Sequence, residues 1–197
     1  MIYKTFKSKE IESVFDDLAR LRITVFRDYP YLYEGTIEYE KEYLKTYSKS
    51  ERSFLFTVYD GDKMVGATTC IPLTDETEEV KKPFLDLGMD IDSIFYFGES
   101  ILLSQYRGLG LGNRFFDERE AHAEHFGIFK MTCFCAVARP NNHPMKHTNY
   151  RPLDEFWIKR GYRKEVALES QFEWLDINES IPTFKSMIYW TKNILPK

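Results

Sequence analysis

The sequence has no excess of basic residues and no long apolar run. Its 197 residues carry 27 Lys and Arg against 31 Asp and Glu, which gives a formal net charge of −4. A chain with this balance is a poor partner for a phosphate backbone, so we expect no nucleic-acid binding. No run approaches the roughly 18 apolar residues of a membrane span, and residues 1–12 lack a signal-peptide core. The sequence therefore predicts a cytoplasmic protein with no membrane partner.

Cysteine is scarce, with only Cys70, Cys133 and Cys135. An odd number of cysteines, two of them inside an apolar stretch, favours reduced thiols over a disulfide framework. Cys133 and Cys135, taken with His143 and His147, superficially suggest a zinc site. Zinc cysteines usually have two or more residues between them, and these two are expected on one face of a core strand. The sequence therefore predicts no metal.

Linkers, repeats and low-complexity segments are also missing, which predicts a single domain over residues 1–197. Hydrophobic residues make up 43% of the chain and aromatic residues 16%, enough for a proper core. Periodicity and turn signals predict strands that alternate with helices, with hairpins at both ends, and therefore a mixed α/β or α+β sheet. The predicted strands cover residues 2–7, 54–59, 63–72, 93–104, 129–138, 163–175 and 184–192, and the predicted helices cover residues 10–27, 36–47, 113–127 and 152–160.

The most informative segment is LLSQYRGLGLGNRFF at residues 102–116, in which a glycine-rich turn joins an apolar strand to a helix. Glycines allow a sharp turn and a close approach to a ligand, and a helix amino terminus attracts anions. The dinucleotide-binding pattern fails because its third glycine would fall on Asn113, and the lysine of a P-loop is absent. The pattern that fits is R-x-x-G-x-G, formed by Arg107, Gly110 and Gly112, with the helix beginning at Asn113. It predicts a pyrophosphate site.

This segment resembles the acyl-CoA-binding motif of the GNAT superfamily of N-acetyltransferases, and FWIKRGYRK at residues 156–164 resembles the end of that family's last helix. The resemblance implies a GNAT-like domain with a mostly antiparallel central sheet flanked by helices, and acetyl-CoA as cosubstrate. It implies that main-chain groups of Ser100, Ile101 and Leu102 pair with the pantetheine arm and that Asn141 contacts the coenzyme. It assigns the pyrophosphate to the turn formed by Arg107, Gly108, Leu109, Gly110, Leu111, Gly112 and Asn113.

The departure from the family lies in the last helix. Where the family often has a tyrosine that protonates the departing thiolate, this chain has Trp157, and an indole N–H is a poor proton donor. The sequence offers Tyr150, in the preceding loop, as the replacement acid. An aromatic residue that only packs the loop is the open alternative.

Glu99 is the candidate general base. It lies in a strand expected to be buried, where a carboxylate is uncommon unless it has a partner. Burial would raise its pKa toward neutrality and suit it to take a proton from an ammonium group. A structural role, in which Glu99 bonds a backbone group or a buried cation, is left open.

The resemblance implies direct acetyl transfer to a primary amine, either a small molecule or a peptide, in a ternary complex. A non-catalytic acyl-CoA-binding module is the alternative, and Trp157 supports it. Tyr29, Tyr31 and Tyr33 either line the acceptor pocket or cover the core. The acceptor's identity and a homodimer are left open by the sequence.

Overall fold

The computed structural model of the protein describes residues 1–194. Its strands are β1 (Ile2–Phe6), β2 (Phe54–Asp60), β3 (Lys63–Pro72), β4 (Ile94–Leu102), β5 (Met131–Val137), β6 (Arg163–Trp174) and β7 (Thr183–Asn193). Its α-helices are α1 (Phe15–Phe26), α2 (Ile37–Lys49), α3 (Glu78–Asp86), α4 (Leu111–His125) and α5 (Asp154–Lys159). Short 3₁₀ helices cover Ser8–Val14, Leu73–Asp75, Ile91–Ser93 and Ser104–Tyr106.

The strands form one sheet in the order β1-β2-β3-β4-β5-β7-β6. Every neighbouring pair is antiparallel except β4 and β5, which run parallel. A parallel pair needs a crossover connection, and α4 supplies it between these two strands. The predicted mixed and mostly antiparallel sheet is thereby confirmed.

The predicted helix over residues 10–27 is divided in the structure. Its first part is the 3₁₀ helix Ser8–Val14, and only Phe15–Phe26 is α-helical. Val14, with φ −124° and ψ 14°, lies outside the helical region and separates the two parts. The apolar spacing of the sequence reports which residues face the core but does not detect this change of helix type.

Helices cover both faces of the sheet, as two adjacent residues of β4 demonstrate. The Phe97 ring lies 4.3 Å from the guanidinium carbon of Arg119 on α4. A Cβ built on the next residue, Gly98, would lie 1.8 Å from the hydroxyl oxygen of Tyr47 on α2. Because successive residues of a strand point to opposite faces, α2 and α4 lie on opposite sides of β4.

The helix α3 contains a proline, which the sequence analysis did not place in a helix. Pro83 has no N–H to donate to the carbonyl oxygen of Glu79 four residues earlier. That carbonyl instead accepts a hydrogen bond of 2.6 Å from the Ser170 hydroxyl on β6. The proline is therefore tolerated, and the same contact ties α3 to the sheet. Within residues 1–194, no helix is long and apolar enough to cross a membrane.

Candidate functional site

The two parallel strands at the centre of the sheet separate part of the way along their length. The strands β4 and β5 pair from Ile94 with Met131 to Tyr96 with Cys133, and β4 then continues to Leu102. In a strand, alternate residues direct their N–H and C=O groups to the same side. Over residues 98–102 the groups directed toward β5 therefore have no strand partner in the described part of the chain. The separation leaves a gap that could take an extended ligand as an added strand.

A β-bulge lies where the gap begins. Gly98 and Glu99 of β4 stand opposite the single residue Thr69 of β3, between regular pairs on either side. The Glu99 N–H donates to the Thr69 hydroxyl at 3.2 Å. A bulge bends its strand and increases the local twist, and it is a physical cause for β4 to leave β5 at this point.

The bulge also decides where the Glu99 side chain points. In a regular strand Glu99 would share a face with Phe97, which packs against Arg119 on α4. The extra residue places the Glu99 carboxylate on the opposite face, where it contacts Arg22 of α1. Gly98 leaves space on that same face for the Tyr47 hydroxyl, which any side chain at position 98 would displace.

Glu99 belongs to a buried group of three charges. The Arg22 guanidinium donates from Nε to Glu40 and from Nη1 to Glu99, and all three residues are buried. This contact is the buried cation that the sequence analysis left open as a structural partner. The second carboxylate oxygens, Oε1 of Glu40 and of Glu99, are buried without a hydrogen-bond partner in residues 1–194. The group carries a formal net charge of −1 when both carboxyls are ionised.

Burial dominates the electrostatics of this group. It raises the pKa of Glu99 above its usual value, and the nearby Arg22 lowers it by less. Burial alone would lower the pKa of Arg22, but the attraction of Glu99 and Glu40 raises it well above the usual range. Arg22 therefore stays protonated, and the pKa of Glu99 stays above its usual value despite this partner.

The glycine turn follows β4 after the short 3₁₀ helix Ser104–Tyr106. Gly108 and Gly110 have φ values of +80° and +82°, and a Cβ on either would meet nothing within 4 Å. These two glycines make the turn and leave open space around it. Gly112 is helical, and a Cβ there would only contact the Phe156 ring at 3.6 Å. The sequence analysis placed all three glycines in the turn. In the structure, Gly108 and Gly110 form the turn and Gly112 belongs to α4.

The helix α4 begins at Leu111, two residues before the predicted start at Asn113. The left-handed conformation of Gly110 caps the helix, and the Arg114 N–H makes a helical bond of 3.2 Å to the Gly110 carbonyl. The N–H groups of Leu111, Gly112 and Asn113 precede this bond and have no acceptor within the helix. Together with the helix dipole, they form a site that attracts anions.

Asn141 and Tyr150 lie in the loop between β5 and α5. The exposed Asn141 accepts a hydrogen bond of 3.4 Å from the Lys146 ammonium at its main-chain oxygen. The Tyr150 ring packs edge-on against Tyr29, with ring centroids 4.7 Å apart. Within residues 1–194, no hydrogen bond, ion pair or ring contact joins Asn141 or Tyr150 to the turn or to Glu99. Their predicted roles stay predictions.

Trp157, at the position where the family tyrosine was expected, is a packing residue. Its ring lies 5.0 Å from Phe134 on β5 and 5.1 Å from Trp190 on β7. The helix α5 therefore turns an indole toward the sheet at this position instead of a hydroxyl. These contacts give the indole a packing role that needs no hydroxyl.

The three cysteines are all free and buried. Burial raises the pKa of the Cys133 thiol well above its usual value and that of Cys135 to about 12. The Cys135 sulfur lies 3.2 Å from the Tyr96 hydroxyl. No set of three or more His, Cys, Asp or Glu side chains in residues 1–194 is placed to hold a metal ion.

We expect the double substitution Cys133→Ala and Cys135→Ala to cost about 1–3 kcal/mol of unfolding free energy and to leave activity per folded molecule nearly unchanged. The reason is that both thiols fill space and are too weakly acidic to act as nucleophiles. Thermal unfolding, turnover and metal analysis measure the three effects. Cys70→Ala, which removes a fully buried thiol from β3, is the matched control. Stoichiometric zinc that is lost only in the double variant would contradict a packing role.

The sequence analysis missed Arg22, which binds the Glu99 carboxylate, and Glu40, which binds the same guanidinium. A signal for both was present. Arg22 lies four residues after Leu18 on the buried stripe of α1, and Glu40 lies four residues before Leu44 on that of α2. A charged residue at such a position needs a partner of opposite charge, because a buried charge is costly when unpaired.

Comparison with known proteins adds to this geometry. No protein-family model matches the chain, and no curated protein matches it. Among solved structures, an aminoglycoside 6'-N-acetyltransferase complexed with coenzyme A is 16% identical, with a TM-score of 0.60, and the match covers 100% of this chain and 99% of that one.

Two further structures extend the comparison. Arabidopsis thaliana NAA60 in complex with a bisubstrate analogue is 12% identical, with full coverage of both chains and a TM-score of 0.61. An acetyltransferase of the GNAT family from Streptococcus pneumoniae is 14% identical, covers 98% of this chain and 100% of its own, and has a TM-score of 0.57. Because the sequence identities are this low, the structural matches establish the fold alone. The chain has the fold of the GNAT superfamily of acetyltransferases.

Proposed function

We propose that the protein is an N-acetyltransferase that moves the acetyl group of acetyl-CoA to a primary amine by direct transfer in a ternary complex. The observation that carries the proposal is the position of two features along one strand. The gap beside β4 has main-chain groups without a strand partner, and the turn that follows β4 presents three free N–H groups at the start of α4. A ligand with an amide-bearing arm and a pyrophosphate matches both features at once.

Coenzyme A has this chemistry. Its pantetheine arm contains amides that could pair with the main chain of Ser100–Leu102, and its pyrophosphate is an anion suited to the N–H groups of residues 111–113. Arg107, whose side chain is exposed beside the turn, adds a positive charge. The open space around Gly108 and Gly110 supports the fit, because a phosphate can approach the backbone there without meeting a side chain.

The catalytic chemistry falls to Glu99 as the proposed general base. Its raised pKa and its unpartnered Oε1 favour removal of a proton from the acceptor ammonium, directly or through a water. Main-chain N–H groups of β4 that face the gap would stabilise the negative charge that develops on the thioester oxygen. A thiolate then leaves and takes a proton.

Tyr150 is the proposed donor of that last proton. We expect Tyr150→Phe to lower kcat by at least about tenfold with little change in the KM for the acceptor, because only the hydroxyl is removed. Steady-state kinetics measures both constants. Tyr29→Phe is the matched control, since it removes the hydroxyl of the ring that packs against Tyr150. Full activity of Tyr150→Phe would mean that the thiolate takes its proton from solvent or from another tyrosine.

Two observations bear on the class of the amine acceptor. A net charge of −4 favours a cationic acceptor through long-range attraction. By their names, the similar structures include an enzyme for aminoglycosides and a ribosomal-protein-alanine N-acetyltransferase from Brucella melitensis, so small-molecule and peptide amines are both proposed. A cytoplasmic location remains part of the proposal.

A second candidate is a non-catalytic acyl-CoA-binding module. The packing of Trp157 against Phe134 and Trp190 favours it, because the position expected to supply the acid carries no hydroxyl. A screen of amines for release of free coenzyme A thiol from acetyl-CoA separates the two candidates. Turnover of any amine supports the transferase. Tight acetyl-CoA binding without turnover supports the module, and absence of binding contradicts both.

A further inference from the structure

A hydrogen-bonded chain on the α2 side of the sheet joins the partly buried Tyr43 to the buried Tyr47 and Glu76. The hydroxyls of Tyr43 and Tyr47 lie 3.2 Å apart, and the Tyr47 hydroxyl donates to Oε1 of Glu76 at 3.0 Å. Tyr47 is fully buried and Glu76 is 4% exposed. Buried polar groups cost free energy unless they are hydrogen-bonded, and this set lies outside the coenzyme site proposed above. The chain of groups therefore calls for a functional explanation.

One end of this chain lies beside Glu99. The Tyr47 hydroxyl is in contact with Gly98, the other residue of the bulge. The Arg22 guanidinium, which binds Glu99, lies 4.4 Å above the Tyr43 ring. The pKa of Tyr43 is raised by burial and then by the negative charges of both Glu76 and Glu99. The Tyr47 hydroxyl thus lies between the Glu76 carboxyl, to which it donates, and Gly98, the bulge residue that precedes Glu99.

The other end reaches the surface on the side of the 3₁₀ helix Leu73–Asp75. Glu76 lines a surface groove, and its Oε2 accepts the Thr77 N–H at 3.1 Å. The other charged residues of the groove include Lys45, Lys49, Arg52, Glu51, Asp75 and Asp92. Titratable groups from five surrounding elements interact electrostatically with Glu76. They are Arg22 of α1, Tyr43 and Tyr47 of α2, Tyr96 and Glu99 of β4, Cys133 and Cys135 of β5, and Tyr189 of β7.

The proposed reaction has a proton to dispose of. When a primary ammonium is acetylated, the N–C bond forms, the C–S bond breaks and the nitrogen loses two protons. One of them ends on the thiol of coenzyme A, and the other must reach the solvent. Glu99 is buried, and Arg22 cannot accept a proton because a guanidinium is already fully protonated. Glu99 therefore needs another route to return to its ionised form.

We propose that Tyr43, Tyr47 and Glu76 form a proton-exit path that carries the proton from Glu99 to the surface groove. The inference rests on the proposed function, since it concerns the proton that acetyl transfer releases. A hydroxyl both donates and accepts, so each tyrosine can pass a proton on without becoming ionised. Burial raises the pKa of Glu76 to about 7, which suits a group that must accept a proton from within and release it at neutral pH.

Glu76→Gln and Tyr47→Phe test the path, with an amine that the wild type acetylates. Each variant is expected to lower kcat at least tenfold, to leave the KM for acetyl-CoA unchanged and to increase the solvent deuterium isotope effect on kcat. Tyr47→Phe has a further consequence, because the Tyr47 hydrogen bond lowers the pKa of Glu76. Its loss should move the acidic limb of the kcat profile to higher pH.

Tyr162→Phe is the matched control. It also removes a buried hydroxyl. That hydroxyl is hydrogen-bonded to Thr132 at 3.0 Å and to Glu120 at 3.2 Å, and neither partner belongs to the path. It is expected to lower the melting temperature while leaving the pH profile and the isotope effect as in the wild type. A wild-type protein without turnover of any amine would count against the proposed function. An active wild type whose Glu76→Gln and Tyr47→Phe variants keep its kcat and pH profile would overturn the path alone.

Discussion

Gly110→Val is expected to weaken acetyl-CoA binding by at least tenfold, which corresponds to about 1.4 kcal/mol. Gly110 has a φ of +82°, a conformation that a β-branched residue adopts only with strain. Relief of that strain would rotate the backbone at the cap of α4 and turn the free N–H groups of Leu111 and Gly112 away from an anion. Isothermal titration calorimetry with acetyl-CoA measures the loss.

The control for Gly110→Val is Gly88→Val. Gly88 is also exposed, has a φ of +67° and has no neighbour within 4 Å of a Cβ, but it lies in the turn after α3. It should therefore cause similar backbone strain without affecting the coenzyme. If a folded Gly110→Val protein binds acetyl-CoA as tightly as Gly88→Val and the wild type, the turn does not hold the pyrophosphate.

Glu99→Gln is expected to reduce kcat by about a hundredfold or more, with acetyl-CoA affinity little changed. Glutamine keeps the shape of the side chain but cannot take a proton from the acceptor. The pKa of Glu99 is raised by burial, so wild-type activity should fall as the pH drops through that value, and the variant should lose the part of the acidic limb that Glu99 contributes. Measurement of kcat across pH tests both effects.

Glu40→Gln separates catalysis from packing. Glu40 shares Arg22 with Glu99 and is also buried, but it lies on α2 and not in the bulge. Both substitutions should lower the melting temperature, since each weakens a buried ion pair. Only Glu99→Gln should remove the base. Equal activity in the two folded variants would leave Glu99 with the structural role alone.

Local patterns in the sequence were sufficient to predict the seven strands, four of the five α-helices and the turn, but not α3. The Asp60-Gly61-Asp62 hairpin, the apolar strand before Arg107 and the glycines that follow it all report the conformation of neighbouring residues. The predicted start of α4 was wrong by two residues. Gly110 caps the helix in a left-handed conformation, so the helix begins at Leu111 and not at Asn113.

The surroundings of Glu99 could not be predicted in the same way. The contact with Arg22 spans 77 residues of sequence, and the bulge depends on how β4 pairs with β3. Neither feature has a local signature apart from Gly98, which is a glycine because a hydroxyl from a distant helix occupies the space of its Cβ. The sequence analysis chose Tyr150 for its hydroxyl, whereas in the structure its ring packs against the Tyr29 ring.

The bulge makes deletion of Glu99 a different event from its substitution. Because the bulge adds one residue without disturbing the pairs on either side, a chain that lacks residue 99 would keep Ser100 opposite Thr68 and Leu102 opposite Gly66. It would lose the bend that directs β4 away from β5, so the two strands could continue their pairing and close the gap. One inserted residue thus accounts for both the carboxylate and the opening beside it, and a shortened strand would lose the two together.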